Sequence, residues 1–204
     1  MGRTSNAKEK IVGTAMELFH ARSVADVGVQ EICEQAGVKK GSFYHFFSSK
    51  QDLVLAVLDA QWQMGKQEFW EPAFSSEIPP LDRFKTLTDG MSEFAQESYQ
   101  MCGMFKGCGM GNIIAELGTQ DDVIRQKADA IFDEIVSFIK AALDEAVANG
   151  DLPAINTDEI SQAFWAYAEG AMLMAKSKQD PAYIKQLMNT GLAFLDSFRK
   201  EATV

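Results

Sequence analysis

Hydrogen-bonding and cationic side chains are concentrated in one short stretch of the chain, from Lys40 to Lys50. Lys40 and Ser42 can donate hydrogen bonds to base edges or to phosphate oxygens. Tyr44 can donate to a phosphate oxygen, and His45 can donate to a base or stack beside one. Lys50 adds a cation at the start of an expected helix, where backbone amides and the helix dipole also favour phosphate. These residue types are compatible with contact to a nucleic acid, although Tyr44 and His45 taken alone are more often an ordinary pair of surface aromatic residues.

A second candidate for chemistry is the thiol of Cys108, which lies between two glycines. The segment from Cys102 to Asn112 holds four glycines in eleven residues, so we predict a loop that leads into a short helix near residues 113–117. A helix N-terminus favours the thiolate, and Lys106 or Lys176 can add to that effect. The alternative is a small buried cysteine that does no chemistry. The segment does not match a dinucleotide-binding fingerprint, because its glycines are spaced G-x-G-x-G and no strand is expected before them.

Composition favours an all-α protein that does not cross a membrane. The 204 residues are 47% hydrophobic and include only five prolines, and no long stretch alternates apolar with polar residues. The net charge is −10, yet residues 1–50 carry +2 and the remaining 154 residues carry −12. This asymmetry can direct one end of the molecule towards DNA, although a chance fluctuation of surface charge explains it equally well.

The cysteines and the N-terminus indicate a cytoplasmic protein without a metal or other cofactor. Three cysteines are an odd number, so free thiols are expected. Neither a secretory signal nor a run of about 18 apolar residues occurs. Both histidines, His20 and His45, precede the second half of the chain, which leaves too few ligands there for a zinc site.

Apolar periodicity and capping residues predict a series of helices. Gly37 is expected to end the second helix in the left-handed conformation, and Ser48 and Ser49 to cap the fourth. The expected helices run from Ser5 to about Arg22, Val29 to Ala36, Val38 to Phe47, Lys50 to about Phe74, Leu81 to about Cys102, Gln120 to Asn149, Thr157 (as N-cap) to Lys178, and Pro181 to near Lys200.

Two short helices joined by Ala36, Gly37 and Val38 match a helix-turn-helix, in which the second helix lies in the major groove. The stretch from Ile32 to Leu53, ICEQAGVKKGSFYHFFSSKQDL, resembles the signature of TetR/AcrR-family transcriptional regulators, and the match extends over residues 8–58. The resemblance implies an N-terminal three-helix helix-turn-helix DNA-binding domain (residues 1–50). It also implies a C-terminal helical domain for effector binding and dimerisation (residues 51–204).

The resemblance also implies roles for individual residues of the N-terminal domain. Phe43, Phe46 and Phe47 are expected to hold this domain together. The residues expected to contact DNA are Lys40, Ser42, Tyr44 and His45 in the major groove, Gly41 by close backbone approach, Lys50 at a phosphate, and Arg3 and Thr4 in an extended arm.

The second half of the chain is expected to sense a small apolar or electrophilic effector that releases the regulator, a repressor, from its operator. Aromatic and methionine side chains suit an apolar pocket, although each of them alone is more often plain core. Polar groups at otherwise apolar places can orient a ligand. Cys108 resembles the cysteine through which one branch of the family senses electrophiles or oxidants. The expected sensing residues are Cys108, Trp70, Phe94, Met110, Asn112, Trp165, Glu169 and Lys176.

The expected partners are double-stranded operator DNA, a small-molecule effector and a second copy of the chain. The resemblance implies a homodimer built on the last two long helices, which carry small and large apolar residues such as Ala163, Gly170 and Gly191. Two alternatives come from other classes. A thiol-dependent enzyme using Cys108 lacks a histidine base in that half of the chain. A helical interaction module without DNA binding does not explain the stretch from Lys40 to Lys50.

Overall fold

The computed structural model describes residues 5–199, and within them the chain forms helices and turns but no β-strand. The all-α prediction is therefore confirmed. The helices are α1 (Ser5–Ala21), α2 (Val29–Gln35), α3 (Lys40–Phe46), α4 (Lys50–Gly65), a π-helical turn (Lys66–Trp70), α5 (Glu71–Ala73), α6 (Pro80–Cys102), α7 (Gly109–Leu117), α8 (Asp122–Asn149), α9 (Thr157–Lys178) and α10 (Ala182–Asp196).

The described residues fall into two compact units. Unit 1 comprises the chain up to Met64 together with Cys108–Ile131, so it contains α1 to α3, most of α4, α7 and the start of α8. Unit 2 comprises Gly65–Gly107 and the chain from Phe132 onwards. The division of the chain at residue 50 into two functional domains stays a prediction.

Unit 1 is built around the apolar faces of its short helices. Ile11, Ala15 and Phe19 follow one another at helical spacing on α1, and all three are buried. Phe43 of α3 is fully buried and Phe47 nearly so, as predicted, while Phe46 is half-buried. Burying a phenylalanine side chain contributes about 2 kcal/mol, so these rings fix α3 against the rest of the unit.

The start of α4 confirms the predicted serine cap. The Ser49 Oγ accepts a hydrogen bond from the Asp52 amide at 3.1 Å, and the Asp52 carboxylate accepts one from the Ser48 amide at 3.0 Å. The first bond satisfies an amide that the first helical turn leaves without a partner, and the second fixes the residue before the capping serine. The helical stretch that begins with α4 continues through the π-helical turn and α5 and ends at Ala73, next to the predicted Phe74. The π-helical turn was not predicted.

In unit 2, ion pairs tie α6 to two other helices. The guanidinium of buried Arg83 donates to both carboxylate oxygens of Glu145 on α8, at 2.7 and 3.1 Å, and its Nε donates to the carbonyl of Ile78 at 2.8 Å. Asp89 on α6 pairs with Lys185 on α10 at 2.9 Å. The bidentate geometry at Arg83 adds directional specificity to the apolar packing of the unit.

Several predicted helix bounds were wrong, and α3 and α8 each begin two residues later than expected, at Lys40 and Asp122. The helix expected at residues 113–117 begins at Gly109, because Cys108 caps it and its glycines tolerate the helical backbone. Asn156 rather than Thr157 caps α9, since its Oδ1 accepts from the Glu159 amide at 3.3 Å. Thr157 is the first helical residue and donates instead to Asp144 on α8 at 2.5 Å. The last helix ends at Asp196 rather than near Lys200.

Candidate functional site

The outward face of α3 carries most of the residues predicted to contact DNA. Lys40, Gly41 and His45 are exposed, Tyr44 is 54% exposed and Ser42 is half-buried. The Lys40 Nζ lies 6.0 Å from the centre of the Tyr44 ring, and the buried Phe43 ring contacts that ring edge-on at 5.2 Å. The helix therefore displays a cation, two aromatic hydrogen-bonding groups and a bare backbone on one surface.

The turn between α2 and α3 fixes the direction in which α3 leaves. Gly37 adopts φ +66°, the left-handed conformation that glycine tolerates best. The Val38 amide donates to the Cys33 carbonyl at 2.9 Å and the Gly37 amide to the Glu34 carbonyl at 3.2 Å. These two bonds close the end of α2 and confirm the predicted glycine cap.

Lys50 lies differently from the other predicted DNA-contacting residues. Its side chain is half-buried, and its Nζ donates to the backbone carbonyl of Val24. Burial lowers the pKa of the Lys50 ammonium from its usual range, and the nearby carboxylates of Glu116 and Asp26 oppose that shift. A phosphate at Lys50 would have to compete with the Val24 carbonyl. Arg3 and Thr4, the predicted arm, lie outside the described residues.

The predicted sensing residues divide between the two units. Cys108, Met110 and Asn112 belong to unit 1 and are half-buried at the start of α7. The Sγ of Cys108 accepts a hydrogen bond from the Gly111 amide at 3.3 Å, which makes Cys108 the N-cap of α7. A thiolate at this position is favoured by the helix dipole and by that amide.

The three thiols differ in exposure. Cys102 is exposed, Cys108 is half-buried and Cys33, on α2, is buried. Burial raises the pKa of the Cys33 thiol, with a smaller opposing effect from Lys40. No disulfide joins any of them within residues 5–199.

In unit 2, two of the predicted pocket residues contact each other, and a third is more exposed and contacts a different ring. The rings of Trp70 and Trp165 are both buried and meet edge-on with centroids 5.8 Å apart. Phe94 is 42% exposed and contacts Phe69 at 5.1 Å. Trp165 shares one face of α9 with Glu169 and Lys176, both half-buried.

The loop between α6 and α7 is held by contacts that the sequence did not reveal. The Gln179 side chain accepts from the Phe105 amide at 3.0 Å and donates to the Phe105 carbonyl at 3.0 Å. A Cβ on Gly107, which has φ +77°, would lie 3.0 Å from the Lys176 side chain. Lys176 therefore packs against the residue that precedes Cys108. No local pattern around Gln179 signals a partner 74 residues away.

A groove of about 480 Å³ lies in unit 1 between α1 and α4, and none of the predicted sensing residues lines it. Its walls include Val12, Gly13 and Met16 on α1 and Ala56 and Ala60 on α4. Among residues 5–199, no group of three His, Cys, Asp or Glu side chains could hold a metal ion. The same residues include no helix that is long and apolar enough to span a membrane.

Two family models match the chain and together cover most of it. One, described as bacterial regulatory proteins of the tetR family, matches residues 11–57 and so includes α2, α3 and the start of α4. The other, described as a tetracyclin repressor-like C-terminal domain, matches residues 80–190.

Relatives and solved structures agree with these matches. The transcriptional regulator AcuR of Cereibacter sphaeroides is 30% identical over 178 residues, which are 87% of this chain and 80% of that protein. The HTH-type transcriptional repressor NemR of Escherichia coli is 26% identical over 174 residues, 84% of each chain. The crystal structure of a regulatory protein TetR from Rhodobacter sphaeroides has a TM-score of 0.80 and 30% identity, covering 92% of this chain and 97% of that one.

Proposed function

Because the chain belongs to the TetR family of DNA-binding transcriptional regulators, we propose that it binds a near-palindromic operator as a homodimer. In this proposal α3 of each protomer enters the major groove, and a small apolar or electrophilic effector releases the repressor from DNA. The relatives reported above are regulators, which favours this function over a thiol-dependent enzyme or an interaction module without DNA binding.

The observation that carries the proposal is the outward face of α3, and within it Gly41. A Cβ built on Gly41 meets no heavy atom of the described residues within 4 Å, so packing inside the protein does not require glycine there. Glycine within a helix costs up to about 1 kcal/mol relative to alanine. A bare backbone beside Lys40 and Tyr44 is explained if a base edge or sugar approaches it closely.

The surface of α9 and α10 supports dimerisation. Leu173 is 64% exposed and Phe194 58% exposed, and Tyr167 and Met174 are also exposed. On α9, Ala163, Ala166, Tyr167, Gly170, Leu173 and Met174 follow the three- and four-residue spacing of one helical face. A contiguous apolar face of this kind favours burial against a symmetry-related copy, which would also place two α3 helices on two half-sites.

The sensing residues suit the proposed effector in two ways. Cys108 offers a nucleophilic thiol whose anion the start of α7 favours. Trp70 and Trp165 are buried apolar rings beside which an apolar ligand would pack, with Glu169 and Lys176 on the same face of α9 as Trp165. A covalent effector at Cys108 and a reversible apolar ligand beside the tryptophans are two alternative routes to release.

The experiment that tests the proposal is selection of bound sequences from a random duplex library by the purified full chain. We expect the recovered duplexes to share an inverted repeat, and their affinity to fall steeply with salt because lysine contacts with phosphate release counterions. Light scattering of the complex should give two chains per site, or a multiple of two. Recovery of unrelated sequences that bind no better than the starting library would contradict the proposal.

A further inference from the structure

The loop between α1 and α2 is held by a carboxylate from α7. The Oε2 of Glu116 accepts a hydrogen bond from the Val24 amide at 2.8 Å, and its Oε1 accepts one from the Ala25 amide at 2.7 Å. All three residues belong to unit 1. Both oxygens of one carboxylate thus bind successive backbone amides from a segment more than 90 residues away in sequence, and bonds to an ionised acceptor are stronger than those between neutral groups.

The carbonyl side of the Val24–Ala25 peptide is held by α4. The carbonyl of Val24 accepts from the Lys50 Nζ, while the Val24 side chain is buried. Two helices of unit 1 therefore fix the amide and the carbonyl of a single residue, α7 through Glu116 and α4 through Lys50. A backbone position restrained on both sides has little freedom to shift on its own.

The position of this loop matters for α3 because α2 begins directly after it. Gly28, the N-cap of α2, offers no side chain to fix the start of that helix. The loop that contains Val24 and Ala25 therefore contributes to the position of α2, together with the packing of α2 on α1, and α2 also packs on α3. We infer that Glu116 is a positioning residue for operator reading, which holds α2 and α3 in the orientation that a specific site requires. This inference rests on the proposed role of α3.

A positioning role and a purely structural role of Glu116 differ in their effects on sequence-specific and nonspecific DNA binding. Hydrogen bonds to base edges tolerate only small displacements of the reading helix, whereas phosphate contacts carry no sequence information and tolerate more. Loss of Glu116 should therefore lower affinity for the operator more than affinity for an unrelated duplex. Removal of a negative charge alone should raise both affinities, so a fall for the operator is opposite to the electrostatic effect.

The test compares Glu116→Ala, Glu116→Gln and the control Asp129→Asn, which removes one exposed negative charge elsewhere in unit 1. Glutamine keeps one acceptor oxygen but turns an NH2 group towards the second amide. The probes are the duplex that the wild type recovers from a random library and a scrambled duplex of equal length. Affinities are measured where circular dichroism shows each variant to be folded, and amide exchange at Val24 and Ala25 is measured without DNA.

We expect Glu116→Ala to lower the ratio of operator to scrambled affinity about tenfold or more, and to speed exchange at both amides. Glu116→Gln should give an affinity ratio between those of the wild type and Glu116→Ala, and Asp129→Asn should keep the wild-type ratio. A wild-type ratio in Glu116→Ala, with or without faster exchange, overturns this inference alone. Failure of the wild type to prefer any recovered duplex overturns the proposed function, and this inference with it.

Discussion

Gln179 pairs with the backbone of Phe105 through both ends of its side-chain amide, at 3.0 Å each, and does so from a left-handed conformation with φ +51°. Among the described residues other than glycine, it alone has a positive φ. Such a conformation costs roughly 1 kcal/mol in a residue with a Cβ, and glycine is the usual residue at this end of a helix. The two bonds to Phe105 explain why glutamine is favoured there.

Gln179→Gly should relieve the backbone strain and release the loop between α6 and α7. The variant loses three side-chain hydrogen bonds, two with Phe105 and one to the Lys176 carbonyl, each worth about 1 kcal/mol net. Relief of about 1 kcal/mol of strain offsets part of that loss, so the free energy of unfolding should fall by about 2 kcal/mol. The Phe105 amide should exchange much faster. Gln179→Asn, whose shorter side chain cannot reach Phe105, is the matched variant and should release the loop as well. Unchanged exchange at Phe105 in both would show that the pairing does not form in solution.

Gly41→Ala should stabilise the protein and weaken operator binding. The added methyl group meets open space within the chain and removes up to about 1 kcal/mol of helix cost, but it would stand between α3 and the DNA. Gly13→Ala on α1 is the control, because a Cβ there also meets no described heavy atom within 4 Å. Both should raise the Tm, and only Gly41→Ala should reduce affinity for the selected duplex, by about tenfold. Equal affinity of the two variants would remove Gly41 from the interface.

Leu173→Glu should separate the proposed dimer without disturbing the protomer. Leu173 is 64% exposed on α9, so a carboxylate there is solvated in the monomer and buried only between two copies. We expect sedimentation at micromolar concentration to give a monomer that has lost operator affinity. Val123→Glu, at a 52% exposed position on α8, should remain dimeric. A dimeric Leu173→Glu variant would place the interface elsewhere.

Gly191 is a poorer choice for the same experiment, although the sequence suggested it as part of the interface. A Cβ on Gly191 would lie 3.0 Å from the Tyr167 ring, whose hydroxyl donates to the Leu187 carbonyl at 2.8 Å. Gly191→Glu should therefore disrupt the packing of α9 against α10 within one protomer. Its effect on assembly would not distinguish a lost interface from a damaged fold.

Cys108→Ser should abolish release of the operator by electrophiles if the thiol is the sensor. A quinone adduct on Sγ would place bulk where that atom accepts the Gly111 amide, and so displace the start of α7. Retention of the selected duplex is measured with a quinone, an aldehyde or hypochlorite for the wild type, Cys108→Ser and Cys102→Ser. Only Cys108→Ser should resist. Equal release of the wild type and this variant would eliminate the thiol route and leave a reversible ligand beside Trp70 and Trp165.

Acid should destabilise the protein through its paired aspartates. Hydrogen bonds from Lys140 and then from Thr157 lower the pKa of Asp144 from its ordinary value of 3.8. Because the folded-state pKa lies below the unfolded one, the charged form stabilises the fold above pH 3.8, and that contribution is lost as the pH falls through the folded-state pKa. Asp144→Asn should flatten the fall of Tm below pH 4, whereas Asp129→Asn should not. Parallel curves for the two variants would refute the assignment.

Sequence reasoning located the helices well where local chemistry decides them. Gly37, Ser49 and the buried rings of α3 act over a few residues, and each was predicted in its observed role. The π-helical turn was missed because it changes no side-chain type and shifts the helical period by only one residue. The start of α7 was missed because glycines usually indicate a loop, and only the structure shows that the Cys108 thiol caps a helix.

The candidate site was predictable in its residue types but not in its connections. The exposed side of α3 follows from periodicity once Phe43 is known to be buried. The bonds from Glu116 to Val24 and from Gln179 to Phe105 join segments 92 and 74 residues apart. Such pairs depend on tertiary packing, which no local pattern encodes. For the same reason, Lys50 was predicted at a helix start but not at the Val24 carbonyl.

The burial of Cys33 gives unit 1 its own reporter of opening. Its side chain is only 3% exposed, and burial raises the pKa of the thiol, so a thiol-specific dye should reach it only when α1 to α3 separate. Cys102 and Cys108 should be labelled first, and the slow third equivalent then gives the rate of opening once its rate no longer depends on dye concentration. Ligands that hold those helices together should slow the labelling of Cys33 and leave the labelling rates of Cys102 and Cys108 unchanged. One dye-uptake trace would thus time the opening of the reading helices without any added probe.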